Sequence, residues 1–210
     1  LSMIAGESTL RMIKNKGNAL YERLNRFGSE TRKTLDAGYA WFKLKVGGSS
    51  EAIDKLRVET AIEASGNPHL IAVDANCGFG SDNTGIRLQE IGQLFPRWIE
   101  EPVDPLDYLG LAAVAKASNC PIATGENIFS AVDVKNLLSF GGLRPGRDVL
   151  QMDIVLSYGL TEFIRMINVA EALGWKRRDF IPHAGHQFAL HVSAGLGLGG
   201  HETASVIGGP

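Results

Sequence analysis

The amino-acid sequence predicts an α/β protein built as a (β/α)₈ barrel. Short apolar runs, hydrophobic on both faces as buried parallel strands are, alternate with longer amphipathic segments. An ionisable residue stands near the end of nearly every apolar run. In a barrel the carboxyl ends of the strands converge on one mouth, whereas an open doubly wound sheet would spread these residues along an edge. No GxGxxG pattern follows the first strand, which further disfavours a dinucleotide-binding sheet.

The repeated unit predicts the position of each strand and helix. The predicted strands are 41–46, 70–76, 98–102, 121–127, 149–154 and 180–183. The predicted helices between and after them are 50–65, 84–94, 106–118, 130–140, 159–173 and 187–196. Since a strand, a helix and a second strand repeat in that order, we expect parallel pairing through right-handed crossovers.

Composition excludes several classes of function. The net charge of −2 and a pI near 6.2 provide no basic surface for nucleic acid or anionic lipid. No apolar run reaches the roughly 20 residues of a membrane span, and the first residues lack the pattern of a signal peptide. Cys77 and Cys120 fit no disulfide framework or zinc motif, so we interpret them as reduced thiols of a cytoplasmic protein.

Three carboxylates at successive strand ends form the strongest chemical signal. Asp74, Glu100 and Glu126 would repel one another unless a cation lies among them, and hard oxygen ligands suit Mg²⁺. The alternative is a set of helix caps or of salt-bridged residues at the barrel rim. Asn76 and Asn127 follow these carboxylates closely, where they would either hydrogen-bond to the metal ligands or serve in turns.

A pair of lysines ends the first predicted strand. Lys43 and Lys45 are two residues apart and therefore share one face, while Leu44 points to the other. Two ammonium groups crowded near a metal would lower the pKa of at least one lysine, which makes a base near neutral pH possible. The alternative is a solvated pair on an edge strand.

Later strands supply further candidate acid–base groups. Asp153 precedes His183 by one strand, from where its carboxylate can hold the imidazole in one tautomer. Glu202 stands where a last strand would end, and its carboxyl group could donate a hydrogen bond to a substrate; a simple turn is the alternative. We interpret His186 as a residue of the rim or of the following helix start.

The motifs together resemble the mandelate racemase branch of the enolase superfamily. Lys-x-Lys, VDAN, WIEEP, GEN, a strand-borne Asp and PHxxHQ occur in that family's order. Within the branch, the D-tartrate dehydratases are most similar, through WIEEPVDPLDY (98–108), residues 123–160, IPHAGHQ (181–187) and SAGLGLGGHE (193–202). The resemblance extends over about residues 26–209.

This resemblance implies a magnesium-dependent hydro-lyase acting on a small hydroxy-diacid such as D-tartrate, which would yield oxaloacetate. Lys45 would abstract the proton next to the substrate carboxylate, and Lys43 would contact that carboxylate. His183, paired with Asp153, would protonate the departing β-hydroxyl group. Another acid-sugar dehydratase, a racemase of the same branch, or an inactive truncated fragment are the alternatives.

The resemblance also implies a domain organisation. Residues 1–28 are similar to a remnant of the family's capping-domain helix and linker, and residues 29–210 to a partial barrel. The first barrel strand and the closing helix of the family pattern are not visible in the sequence, nor is most of the capping domain. Relatives of this kind commonly form homo-oligomers, and we expect the same association in the full-length protein.

Overall fold

The structure is a computed structural model that describes residues 18–80 and 84–203. The strands are β1 (Phe42–Lys45), β2 (Ile71–Asp74), β3 (Ile99–Glu100), β4 (Ile122–Thr124) and β5 (Val149–Leu150). The α-helices are α1 (Asn18–Asp36), α2 (Glu51–Ser65), α3 (Thr84–Gly92), α4 (Tyr108–Ala117), α5 (Ala131–Phe140), α6 (Leu160–Ala172) and α7 (Gln187–Leu196). Short 3₁₀ turns cover Pro68–Leu70 and Arg177–Asp179. The predicted alternation of strands and helices is confirmed.

The five strands form one parallel sheet in the order in which they follow along the chain. Phe180 adds a sixth position through a parallel bridge to Leu150 at the end of β5. The segment 199–202 then runs beside this position, because the amides of Gly199 and Glu202 donate to the carbonyl oxygens of Phe180 and Pro182. Sequential parallel pairing of this kind is the arrangement of a (β/α)₈ barrel wall.

The two ends of this wall approach each other. Lys43 of β1 forms an ion pair with Glu202, and a Cβ atom on Gly200 would lie 2.9 Å from the ring of Trp41. Between them lies a cavity of about 480 Å³, lined in part by Tyr39 and His201. Among the described residues no strand fills this gap.

The strands are buried on both faces, which explains their continuous hydrophobicity. On the outer face, Ile71 and Val73 pack in the large core between the strands and the helices. On the inner face, Ala72, Ala123 and Ile181 pack with Trp98 in a smaller cluster. Side chains thus fill the barrel interior below the carboxyl ends of the strands, where the polar residues begin.

The observed strands are shorter than the predicted ones because the chain turns sharply after them. Strands β2 and β3 end at Asp74 and Glu100, whereas the prediction continued to residues 76 and 102. Asn76 and Glu101 have φ angles of 41° and 40°, which a β-strand does not contain. The turns direct the polar residues of each strand end into the mouth of the barrel.

Helix α1 is continuous across residue 28, where the sequence predicts a boundary between a capping-domain remnant and the barrel. Its packing on α2 is close at Gly28, since a Cβ atom there would lie 3.3 Å from Cγ2 of Thr60. The predicted domain division therefore falls inside a helix, and it stays a prediction. Within the described residues, none of the helices combines the length and the apolarity that crossing a bilayer demands.

A buried carboxylate holds the loop that follows β1. Asp54 is 1% exposed and accepts hydrogen bonds from the amide of Gly47 at 2.7 Å, from Arg87 at 3.2 Å and from Arg57 at 3.3 Å. Gly47 has a φ angle of 91°, and a Cβ atom there would lie 3.0 Å from Cα of Gly78. Asp54 therefore fixes the loop next to Lys45.

Replacing Asp54 by alanine should lower the free energy of unfolding by about 3 kcal/mol, because the two guanidinium groups lose a buried partner. Urea denaturation followed by circular dichroism measures this change. Glu63→Ala, at an exposed position of the same helix, is the matched control and should change stability by less than about 0.5 kcal/mol. Equal stability of the two variants would show that the Asp54 contacts do not support the fold.

Candidate active site

The three predicted metal ligands meet at the carboxyl ends of neighbouring strands. Asp74 and Glu100 are the last residues of β2 and β3, and Glu126 follows β4 by two residues. One carboxylate oxygen of each lies within 4.8 Å of one oxygen of both others. Asp74 and Glu100 are fully buried, and Glu126 is half-buried.

The hydrogen bonds of this cluster leave room for a hard cation. The backbone N–H group of Asn76 donates to Oδ1 of Asp74 at 2.9 Å, and its side-chain Nδ2 donates to Oε1 of Glu126 at 3.2 Å. Oε2 of Glu126 is buried and accepts no hydrogen bond from any described residue. A buried carboxylate oxygen without a hydrogen bond, beside two other carboxylates, fits the donor set that Mg²⁺ prefers. Asn127 instead donates to Glu101 at 2.8 Å.

Both lysines of β1 point into the mouth of the barrel, as the sequence predicts. Nζ of Lys43 lies 2.6 Å from Oε1 of Glu100 and 3.3 Å from Oδ2 of Asp74. Nζ of Lys45 lies 2.5 Å from the same Asp74 oxygen. Leu44 between them is buried in the outer core. The side chain of Lys45 is 59% exposed and that of Lys43 only 18%, so Lys45 carries the more accessible amine.

The pKa values show how the buried charges balance. Burial by itself would lower the pKa of Lys43, but the carboxylates of Glu100 and Glu202 outweigh burial and raise it above its ordinary value. The sequence predicts a lowered pKa for at least one lysine of the pair, and Lys43 is not that lysine. Burial raises the pKa of Glu100 to about 8, and Asp74 adds to this rise. The pKa of Asp74 is lowered despite burial, through hydrogen bonding with Glu100 and Lys45 and through the positive charges of Lys43 and Lys45.

The predicted histidine–aspartate pair is present on the far side of the carboxylates. Nδ1 of His183 lies 2.9 Å from Oδ2 of Asp153. Oδ1 of Asp153 accepts the amides of Val155 at 2.7 Å and Leu156 at 2.9 Å, which fixes the carboxylate. Because Nδ1 faces this carboxylate, Nε2 is directed to the site, 3.5 Å from Oε2 of Glu126. The lysines contact Asp74 while His183 approaches Glu126, so the two groups flank the triad from opposite ends.

Glu202 and two residues that sequence reasoning missed complete the cluster. Glu202 accepts from Lys43 and, at 3.1 Å, from Nε2 of Gln151. Gln151 also donates to Oε2 of Glu100 at 2.9 Å, and Nε1 of Trp98 donates to the same oxygen at 3.0 Å. Spacing could have indicated both: each stands two residues before a predicted site residue, on the same face of its strand.

His186 does not join this cluster through any contact in the described part of the chain. It is the N-cap of α7, and its Nδ1 accepts the amide of Ala189 at 3.0 Å. This confirms the interpretation of His186 as a residue of the helix start. Cys77 and Cys120 are both free thiols, as expected.

Comparison with known proteins assigns this arrangement to a family. Residues 26–206 match the family described as Enolase C-terminal domain-like. The chain belongs to this family. The match confirms the enolase-superfamily resemblance of the sequence motifs, and the barrel wall and its mouth are those of an enolase-like C-terminal domain.

Relatives of this enolase-like chain are named as dehydratases and racemases. It is 30% identical over 195 residues to an L-talarate/galactarate dehydratase of Salmonella typhimurium, covering 92% of this chain and 47% of the relative. It is 27% identical over 146 residues to an N-succinyl-L-Arg/Lys racemase of Bacillus cereus, covering 69% of this chain and 38% of the relative. The chain thus spans less than half the length of these relatives.

Solved structures agree with the fold. The crystal structure of L-talarate dehydratase from Polaromonas sp. JS666, which contains Mg and L-glucarate, superimposes with a TM-score of 0.72 at 28% identity. The superposition covers 81% of this chain and 46% of that chain. The incomplete (β/α)₈ barrel predicted from the sequence is therefore confirmed.

Proposed function

We propose that this protein is a hydro-lyase that dehydrates a hydroxy-carboxylic acid by removing the proton next to its carboxylate. The observation that carries the proposal is the placement of Lys45 and His183 at opposite ends of the Asp74–Glu100–Glu126 triad. The triad would hold Mg²⁺, which supplies a Lewis acid for the substrate carboxylate and for the charge that develops on it. A base on one side and an acid on the other are what an elimination requires.

The residues of this chain divide the proton transfers between them. Nζ of Lys45 takes the α-proton, and the electron pair of the broken C–H bond moves toward the carboxylate. The bond between Cβ and its hydroxyl oxygen then breaks, and His183 gives a proton to the departing hydroxyl group, which leaves as water. Asp153 keeps Nε2 of His183 directed at the site. The enol that remains tautomerises to a keto acid.

Lys43 and Glu202 serve the substrate rather than the proton transfers. Lys43 forms ion pairs with both Glu100 and Glu202, at the side of the mouth next to β1. The ammonium group of Lys43 can pair with a substrate carboxylate. The carboxyl group of Glu202 can form a hydrogen bond with a substrate hydroxyl group. A dicarboxylic hydroxy acid presents both groups to this side of the site.

We propose a small hydroxy-diacid of the D-tartrate type as the substrate, on the basis of the four sequence stretches quoted above. The protein with Mg²⁺ and D-tartrate should release a keto acid, oxaloacetate, measured by semicarbazone absorbance. Talarate, galactarate, galactonate and arabinonate are tested in parallel. Turnover of one of these and not of D-tartrate would retain the dehydratase proposal and reject its substrate.

Racemisation is the second candidate, because one base and one acid facing each other also suffice to remove and return an α-proton on opposite faces. A relative named as a racemase supports it. The two activities separate by proton exchange: exchange of the substrate α-hydrogen with deuterium oxide, without keto acid, indicates a racemase. An inactive fragment is the third candidate, and it would give neither signal with any of the acids.

The metal ligands can be tested without turnover. Replacing Glu126 by glutamine removes one negative charge from the triad, and the Kd for Mg²⁺ should rise by at least about 10-fold. Isothermal titration calorimetry on the protein measures this change. Glu63→Gln, at an exposed position on α2, is the charge-matched control and should leave the Kd unchanged. If both variants bind Mg²⁺ equally well, Glu126 is not a ligand.

Two further expectations accompany this proposal. Association into a homo-oligomer and a cytoplasmic location both stay predictions. Size-exclusion chromatography with light scattering measures the first of them.

A further inference from the structure

The two oxygens of Glu100 have different surroundings. Oε1 faces Lys43 at 2.6 Å, at the mouth of the barrel. Oε2 accepts two hydrogen bonds from neutral donors, Nε1 of Trp98 at 3.0 Å and Nε2 of Gln151 at 2.9 Å. The Glu100 side chain itself is fully buried. One oxygen is therefore committed to the barrel interior and one to the site.

Both donors are held in place by the packing around them. Trp98 is 1% exposed, and its ring lies edge-to-face against Trp41 with 5.7 Å between centroids. Gln151 is fully buried beyond the end of β5, where its backbone N–H group donates to the carbonyl oxygen of Thr124 at 2.8 Å. Trp98 cannot move away from Glu100 without leaving its buried N–H group unpaired, which costs about 1–3 kcal/mol. Gln151 is held in addition by a second hydrogen bond, from its Nε2 to Glu202 at 3.1 Å.

The coordination of a cation follows from this asymmetry. With the lone pairs of Oε2 engaged, Glu100 can offer a cation one oxygen and cannot bind it with both. Mg²⁺ requires a compact octahedron of single oxygens at about 2.0–2.1 Å, whereas Ca²⁺ accepts bidentate carboxylates and six to eight ligands at about 2.3–2.6 Å. A carboxylate restricted to one oxygen suits the smaller ion.

We propose that Trp98 and Gln151 are positioning residues that make Glu100 a one-oxygen ligand and thereby select Mg²⁺ over Ca²⁺. The inference rests on the proposed cation site of Asp74, Glu100 and Glu126. The two neutral residues would explain why that site binds Mg²⁺ rather than Ca²⁺. Trp98 and Gln151 act only through Glu100 and are not catalytic residues.

The test compares the affinities for the two ions in variants that remove one donor each. Trp98→Phe retains a buried ring without the N–H group, and Gln151→Leu retains the volume without the amide. In each variant the Kd for Mg²⁺ should rise about 10-fold. The factor by which the Kd for Ca²⁺ rises should be at least about 3-fold smaller, because the freed Oε2 can bind Ca²⁺ as a further ligand. Isothermal titration calorimetry with each chloride salt measures both constants.

Met152→Leu is the matched control, since Met152 is a fully buried neighbour of Gln151 that packs in the outer core. It should leave the ratio of the two Kd values unchanged. The thermal midpoint of every variant is measured beside its affinity, and Gln151→Leu carries the test if Trp98→Phe does not fold. Equal weakening of both ions, or no change in either, would overturn the selection role while leaving the cation site in place. A wild-type protein that binds neither ion would overturn the site itself and this role with it.

Discussion

Replacing Lys45 by alanine should reduce both dehydration and α-proton exchange by about 10²–10⁴-fold, the usual contribution of a general base. Lys45 is the accessible member of the lysine pair, and its Nζ lies 2.5 Å from Asp74, next to the place where the substrate carboxylate would bind. Without this amine the α-proton has no acceptor on the β1 side. Keto-acid formation and deuterium incorporation into recovered substrate measure the two losses.

The matched control for this variant is Lys55→Ala. Lys55 also forms an ion pair, with Glu90 at 2.5 Å, but on the helical surface outside the cluster. It should retain wild-type rates in both measurements. Should the Lys45 variant exchange the α-proton at the wild-type rate, the base would be another group of the site.

Replacing His183 by asparagine should reduce dehydration by a similar factor of about 10²–10⁴ while α-proton exchange continues. The reason is the division of roles between the two ends of the triad. His183 is fixed by Asp153 at 2.9 Å and approaches Glu126, whereas Lys45, the proposed base, contacts Asp74 on the other side. Loss of the acid leaves the carbanion-like intermediate to return to substrate, so deuterium enters without release of water.

His191→Asn, at an exposed position on α7, controls for the loss of an imidazole. It should dehydrate the substrate at the wild-type rate. If His183→Asn abolished exchange together with dehydration, His183 would act in removal of the α-proton. This result would support the racemase as the function of the protein. The pair of variants thus separates the first proton transfer from the second.

Much of the fold follows from the sequence because one periodic signal repeats throughout. A strand buried on both faces must be hydrophobic on both, and the helix that covers it must be amphipathic, so the elements alternate visibly. The ends of the strands are less predictable. Asn76 and Glu101 turn the chain at positive φ. Asparagine is enriched in that conformation, whereas glutamate gives no sign of such a turn.

The ionisable residues of the site were predictable because each costs free energy in a barrel interior unless it has a partner there. Neutral donors carry no such signal. Trp98 lies in an apolar run typical of a core. Its spacing from Glu100 places both side chains on one face, and the distance between them shows that Trp98 also donates a hydrogen bond. The direction of the Lys43 pKa shift likewise depends on distances to Glu100 and Glu202 that spacing along the chain does not contain.

We propose above all that the carboxylates of Asp74, Glu100 and Glu126 bind one divalent cation. Anomalous diffraction from crystals of the protein grown with Mn²⁺, which replaces Mg²⁺ in oxygen sites, tests this claim directly. A single strong peak bonded to one oxygen of each of the three residues is the predicted result. Ordered carboxylates with no peak among them, or a peak held by other residues, would contradict it.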